Sequence, residues 1–214
     1  MRNAYMQNLM FAGRMCSGKT TCADILVKYY GYQKISLADP IKAVVHGMVA
    51  GGSAEDLLQE HVFSKTLLST KQQAALIEYA KKSMEIPSEA PKYRERLQYF
   101  GTEAGRDGVD QRLWINCLLG SIKSGHWVID DVRFFNEWKQ LVNNFIGISL
   151  WVSQPIQHKR LISLYGNYNP EILNHASESE FTMIDNYIPL KHKINANNPL
   201  NVMEAELLYL VDHV

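Results

Sequence analysis

A three-layer α/β/α fold on a doubly wound, mainly parallel sheet is what this sequence predicts, and three observations predict it. Apolar runs without charge, Leu9-Met10-Phe11-Ala12, Trp127-Val128-Ile129 and Phe145 to Val152, have the length and aliphatic content of strands buried on both faces. Stretches of helical spacing alternate with them, and that alternation implies right-handed crossovers between parallel strands. The link after the first run, Gly13-Arg14-Met15-Cys16-Ser17-Gly18-Lys19-Thr20, places two glycines and a Gly-Lys-Thr end at the spacing by which a backbone loop wraps a polyphosphate.

Taken in order, Leu9 to Ala12 is the first strand, and Thr21 to Tyr30 is a helix with Cys22, Ile25, Leu26 and Tyr29 on its apolar side. Gly31 ends it. Tyr32 to Leu37 reads as a short second strand, and Asp39-Pro40 opens a helix through about Val49, with an acid at the cap and proline in the first turn. Gly51-Gly52-Ser53 is a loop. Ala54 to Met84 is helix-rich and breaks near Ser69-Thr70, Pro87 and Pro91 bracket a connector, and Tyr93 to Phe100 has helical spacing before Gly101-Thr102-Glu103-Ala104-Gly105-Arg106. A helix over about Gln111 to Ser124 leads to Trp127-Val128-Ile129-Asp130, an apolar strand that delivers acids to the carboxyl edge of the sheet, where ligands bind in such folds. Asn136 to Asn143 is a short helix and Phe145 to Val152 the next strand. Ser153 to Asn174 is polar, carries Gly166 and Pro170, and suits a mobile lid; Lys193 to Ala196 is a last short strand, and Asn197-Asn198-Pro199 turns into a helix over about Asn201 to His213. The domain reading is one unit over 1–214, with a core of 1–50, 111–152 and 187–214, a helical substrate-binding insertion over about 51–110, and a lid over about 153–175.

With 214 residues, 46% of them hydrophobic, the chain can bury a full core. Lys plus Arg and Asp plus Glu both number 22, so the formal charge is zero and the basic excess that a nucleic-acid polymer recruits is missing. A small anionic substrate fits better, with positive charge needed only locally inside a cleft. Cys16, Cys22 and Cys117 lack metal-ligand spacing and are odd in number, which points to a reducing compartment. No apolar run approaches the roughly 18 residues of a membrane span, and no signal-peptide core follows Met1, so a cytoplasmic protein without a membrane partner is expected.

Four segments carry candidate chemistry. In the glycine-rich loop, backbone N–H groups would cradle phosphates, Lys19 would reach the β and γ phosphates of a nucleoside triphosphate, and the Thr20 hydroxyl would ligate Mg2+. In Ser36-Leu37-Ala38-Asp39-Pro40-Ile41-Lys42, Asp39 is either a helix cap or a group that orients substrate, and Lys42 either pairs with phosphate or is solvated. Arg94 to Arg106 mixes residue types that recognise a nucleobase and its phosphate: Arg96 and Arg106 offer planar forks and Gln98 a base-edge amide, while Tyr99, Phe100 and Trp114 serve as stacking surfaces or as core. In Asp130-Asp131-Val132-Arg133-Phe134-Phe135-Asn136-Glu137, an acid could hold Mg2+ through water and Arg133 could neutralise the moving phosphoryl group, with Glu137 as a helix cap instead. Adjacent strand acids face opposite ways, and Asp131 is favoured.

Together GRMCSGKTT, SLADPIK, RLQYFGTEAGR with Trp114, DDVRFFNE and the closing INANNPLNVMEAEL resemble, in order and spacing, the phage-type deoxynucleoside monophosphate kinases, a branch of the P-loop nucleotide kinases. The resemblance implies transfer of the γ-phosphoryl of ATP to a deoxynucleoside monophosphate, with Mg2+, in a host cytoplasm if the chain is phage-encoded. It implies ATP at Gly13, Arg14, Cys16, Ser17, Gly18, Lys19, Thr20 and Thr21 with Asn195 near adenine. Asp39, Ile41, Lys42, Arg96, Gln98, Gly101, Thr102, Arg106 and Trp114 would serve the monophosphate. Lys19, Asp131, Arg133 and, from the lid, Arg160 would act in transfer, with Thr20 and Asp131 at the metal. The lid departs from the general nucleotide-kinase pattern in holding one arginine, Arg160, beside His158 and Lys159. His175-Ala176-Ser177-Glu178 also resembles a family segment at the lid's base.

Two other readings are kept open. One is a kinase of this fold acting on another small phosphorylated acceptor, of the dephospho-coenzyme A or phosphomevalonate type; the other is a nucleotide-dependent switch. The apolar positions Leu57, Leu58, Val62, Leu67, Leu68, Leu76 and Ile77 read as an amphipathic cover for the substrate cleft, or as a partner surface, with a homodimer as the expected assembly.

Overall fold

The computed structural model of the chain describes residues 6–90, 92–166 and 176–214. It divides into two compact units, one formed by Met1–Ile35 with Ser124–Val214 and the other by Ser36–Lys123.

Unit 1 is the sheet. Its described strands are β1 (Leu9–Gly13), β2 (Gln33–Ile35), β3 (Trp127–Val132), β4 (Ile146–Trp151) and β5 (Lys193–Asn195), all paired in parallel in the order β2-β3-β1-β4-β5. Helices α1 (Lys19–Tyr30) and α10 (Leu200–Val211) cover one face. Leu9, Phe11, Val128, Ile148, Leu150 and Ile194 pack there in one cluster with Cys22, Leu26, Met203 and Leu207. The alternate residues of the same strands serve the opposite face, because successive side chains point opposite ways. There α7 (Phe135–Leu141) lays the Trp138 ring on Gly147, where an added Cβ would meet it at 2.0 Å, and α9 (Ala176–Tyr187) offers Asp185 to the Ser149 hydroxyl at 2.5 Å. Helix, sheet and helix make the three layers that the sequence predicts.

Most elements agree with the sequence reading to within a few residues, and the differences have local causes. Tyr29 is 40% exposed, and Ala23 takes the inward place beside Cys22. Ala176–Tyr187 is a helix that the pattern does not announce; it buries Phe181 and Ile184 but interleaves them with Glu180, Asp185 and Asn186. Of the segment read as a lid, Gln154–Tyr165 is a helix, α8, with Gln157 and Leu161 buried. Residues 167–175, including Pro170 and His175, lie outside the described residues.

Unit 2 is helical: α2 (Asp39–Val49), α3 (Ala54–His61), a 3₁₀ turn (Phe63–Lys65), α4 (Thr70–Glu85), α5 (Arg94–Gln98), a π-helix (Tyr99–Val109) and α6 (Leu113–Ser121). The break expected near Ser69 is a reciprocal cap, in which the Gln72 N–H donates to Ser69 Oγ and the Ser69 N–H to Gln72 Oε1. Leu58, Val62 and Leu76 are fully buried, whereas Leu67 is fully exposed, so the apolar positions of this stretch do not share one face.

A short 3₁₀ turn, Leu190–His192, precedes β5 and leaves His192 9% exposed with no partner for Nε2. Burial, and then the charge of Lys191, lower its pKa below the ordinary 6.5, against a weaker opposing bond with the Gly147 backbone. A base whose folded pKa is depressed stays neutral while the unfolded chain takes up a proton, so its contribution is complete above about pH 6.5 and is lost as the pH falls below that value toward the lowered folded one. Thermal melts at stepped pH should therefore show Tm falling as the pH drops below about 6.5, and His192→Phe should flatten that slope. An unchanged slope in the variant would place the acid sensitivity elsewhere.

Candidate nucleotide-binding site

Between β1 and α1 the chain turns through a loop whose shape depends on left-handed backbone. Gly18 sits at φ 100° and Cys16 at φ 59°. For a non-glycine residue that conformation costs about 1–2 kcal/mol and persists where the surroundings over-determine it. Gly13 is required by space: a Cβ there would lie 2.5 Å from Ser17 Oγ and 2.9 Å from the Leu150 carbonyl of the neighbouring strand. Ser17 is fully buried, its Oγ without a partner. Lys19 is 7% exposed and folds back over the loop, its ammonium donating to the carbonyls of Gly13 at 2.6 Å and Arg14 at 2.9 Å. Thr20 and Thr21 are exposed at the start of α1. Backbone N–H groups at a helix N-terminus with an ammonium beside them are the chemistry that takes a polyphosphate.

Asp130 and Asp131 lie on β3 next to this loop. Met10 pairs with Ile129 and Ala12 with Val132, so both acids stand opposite the single residue Phe11 in a bulge. Strict alternation therefore does not hold at the step where it would assign one acid to the loop side. Asp130 is 6% exposed and Asp131 half-buried. Arg133 is exposed, and its backbone N–H and that of Phe134 both donate to Glu137 Oε2 at 2.9 Å, which is the capping role. Among the described residues no group of three or more His, Cys, Asp or Glu side chains could hold a metal. Mg2+ takes oxygen ligands, typically one or two from protein with phosphates and water completing its shell, and Thr20 and Asp131 carry oxygens of that kind.

Arg160, on α8, donates from Nη1 to the Cys16 carbonyl at 3.1 Å and from Nη2 to the Ala196 carbonyl at 2.7 Å. One turn earlier Gln157 donates from Nε2 to the Met15 carbonyl at 2.9 Å. Asn195 is exposed, and its Oδ1 accepts the N–H and the side-chain amide of Asn197. Asn197 Oδ1 in turn accepts from the Ser153 N–H and hydroxyl, both at 2.9 Å, and so fixes the start of α8. Gln157 and Asn197 are the residues that the sequence reading missed. The only trace of either is the Ser-Gln-Pro start of α8 and the Asn-Ala-Asn-Asn turn. A pocket of ≈ 350 Å³ opens beside Ile156, Lys159, Arg160 and Ser163.

Within unit 2, Asp39 is the first residue of α2 and not its cap, which is Ala38 with no side-chain bond; Asp39 Oδ2 accepts the Ser36 N–H of the preceding turn at 2.7 Å, Oδ1 stands 3.9 Å from Lys42 Nζ, and both side chains remain about half-exposed. Arg96 lies over the Tyr93 ring, 5.5 Å from its centroid, and its Nε donates to the Ile86 carbonyl at 3.0 Å. Tyr93 is itself left-handed, at φ 44°. The π-helix carries Gly101, Thr102, Gly105 and Arg106; the Asp110 N–H reaches back five residues to the Gly105 carbonyl at 3.0 Å. Ile41 presses on Gly101, and the Trp114 ring on Gly105. The Trp114 indole N–H donates to the Gly101 carbonyl at 2.6 Å and its ring meets Phe100 edge-on, so Trp114 belongs to the core of this unit. Gln98 is exposed and Arg106 half-buried.

Burial pushes the thiols of Cys22 and Cys117 up to about 12. Cys16 is half-buried in the loop. The folded protein should therefore release about one thiol equivalent to a disulfide reagent near pH 8 and three in denaturant, the reactive thiol mapping to Cys16 by peptide mass. Fast reaction of Cys22 or Cys117 would contradict the burial.

No protein-family model matches the chain, and no curated protein sequence matches it. Among solved structures it is similar to a gluconokinase from Sinorhizobium meliloti 1021, at 13% identity and a TM-score of 0.48, covering 98% of this chain and 93% of that one. A likeness at this level says nothing of substrate or chemistry.

Proposed function

We propose that this protein is an ATP-dependent kinase of deoxynucleoside monophosphates. The observation that carries the reading is the loop between β1 and α1, with its left-handed Cys16 and Gly18, its buried Lys19 and the acids of β3 alongside. The nature of the acceptor rests on the resemblance of SLADPIK, RLQYFGTEAGR and DDVRFFNE to the phage-type enzymes.

In this reading Gly13 to Thr21 hold the triphosphate of ATP, and Lys19 reaches the β and γ phosphates. The acceptor is an anionic phosphate and needs no strong base. Its oxygen bonds to Pγ as the bond from Pγ to the β,γ-bridging oxygen breaks, and the protein contributes alignment and charge. Lys42, Arg96 and Arg106 bind the monophosphate, Asp39, Ile41, Gln98, Gly101 and Thr102 line its site, and Trp114 shapes the wall behind Gly101. Arg133 offsets charge on the transferred group, and Asn195 lies toward adenine. Thr20 and Asp131 would hold Mg2+, which would supply charge neutralisation at the phosphates.

The test is ADP release with ATP and Mg2+ against the four deoxynucleoside monophosphates, AMP, GMP, dephospho-coenzyme A and phosphomevalonate. Turnover with at least one deoxynucleotide is the expected result. Turnover with a non-nucleotide acceptor alone would move the protein to that kinase class, and tight ATP binding without any turnover would make it a switch.

A further inference from the structure

We infer that Gln157 and Arg160 are positioning residues that set the anion-binding shape of the loop between β1 and α1. The inference rests on the reading of that loop as a nucleotide site, and adds to it a role for α8.

A loop that turns its N–H groups inward onto an anion turns carbonyls outward, and outward carbonyls within a protein need donors. The carbonyls of Met15 and Cys16 flank the peptide link into the left-handed Cys16 and out of it. Gln157, 2% exposed, supplies the donor for the first, and Arg160 supplies it for the second. The two side chains stand three residues apart and share one face of α8. Arg160 then spans to the Ala196 carbonyl after β5, while Asn197 from the same turn holds Ser153 at the start of α8. Loop, helix and turn thus form a closed circuit of hydrogen bonds. Gln157 is neutral, so its part in that circuit owes nothing to charge on a transferred phosphoryl group.

The experiment uses the full chain with Gln157→Leu, Arg160→Gln and Arg160→Lys, and reads two quantities: amide hydrogen exchange over residues 13–18 without nucleotide, and the ADP dissociation constant by calorimetry. Faster exchange in the loop, together with ADP affinity roughly 10- to 100-fold weaker, is expected for Gln157→Leu and Arg160→Gln. Lysine at 160 reaches one carbonyl and should recover only part of the loss. Unchanged exchange over 13–18 in Gln157→Leu and Arg160→Gln overturns the proposal whatever ADP affinity does, and full recovery by lysine overturns the bridging role. If the wild-type protein binds no ADP while the variants still accelerate exchange, the nucleotide reading fails and the brace stands. Gln157→Leu keeps the volume of the buried side chain and serves as the test if the arginine variants do not fold.

Discussion

Lys19→Ala is expected to lower kcat of the proposed transfer by about 100- to 1000-fold, the order of loss when one preorganised donor to developing negative charge is removed. The side chain is the first residue of α1, yet only 7% exposed, because it bends back onto the Gly13 and Arg14 carbonyls. Removing it takes a desolvated charge out of the loop and two hydrogen bonds with it, effects of opposite sign on stability. The fold should survive, as circular dichroism and a melt would show. Steady-state turnover within tenfold of wild type would remove Lys19 from the transfer chemistry. Lys19→Arg should not restore the rate, since a planar fork cannot take the place of a compact ammonium inside so tight a loop.

Gly105→Ala should be a strongly destabilising single-methyl change in unit 2. Its Cβ would stand 2.3 Å from Trp114 Cζ2, 2.8 Å from Cε2 and 3.0 Å from the Phe100 carbonyl. The ring has nowhere to retreat, because it is 7% exposed, abuts Phe100 at 5.6 Å between centroids, and is tethered by its N–H to the Gly101 carbonyl. Overpacking of this kind costs about 2–3 kcal/mol, which lowers Tm by roughly 5–10 °C in a chain of this size. Gly108→Ala is the internal comparison. It meets the Tyr79 ring and the Glu103 carbonyl no closer than 3.1 Å, so a shift of a few tenths of an ångström accommodates it. Equal melting temperatures for the two variants would show that the Trp114 packing is looser than its geometry. If the π-helix also binds the acceptor, Gly105→Ala should raise the acceptor KM well before it changes the KM for ATP.

Legibility from sequence was greatest where a conformation is demanded by residue type at a fixed spacing. Gly13 and Gly18 mark a loop that no bulkier residue fits, Ser69 with Gln72 marks a helix start, and charge-free aliphatic runs mark buried strands. It was least where a segment obeys tertiary contacts instead. The helical spacing read over Tyr93 to Phe100 gives no sign that Gly101 to Arg106 continues it, yet the segment is a π-helix around the Trp114 ring. The Asp130-Asp131 pair reads as alternating strand residues, yet falls in a bulge that sets both against Phe11. Arg160 carries a guanidinium that suits a phosphoryl group, and the fold spends two of its nitrogens on backbone carbonyls.

By itself, then, the sequence determined that a strand, a glycine-cornered phosphate loop and a helix follow one another, and that the sheet is parallel with helices on both faces. Those features follow from side-chain size, backbone freedom and the period of burial, all of which are local. Only the tertiary structure decided the strand order, the bulge at the acids, and the bracing of Met15 and Cys16 by side chains 142 and 144 residues further along. A backbone carbonyl is the same group at every residue, so nothing in the sequence of the loop marks which of its carbonyls a distant helix will hold.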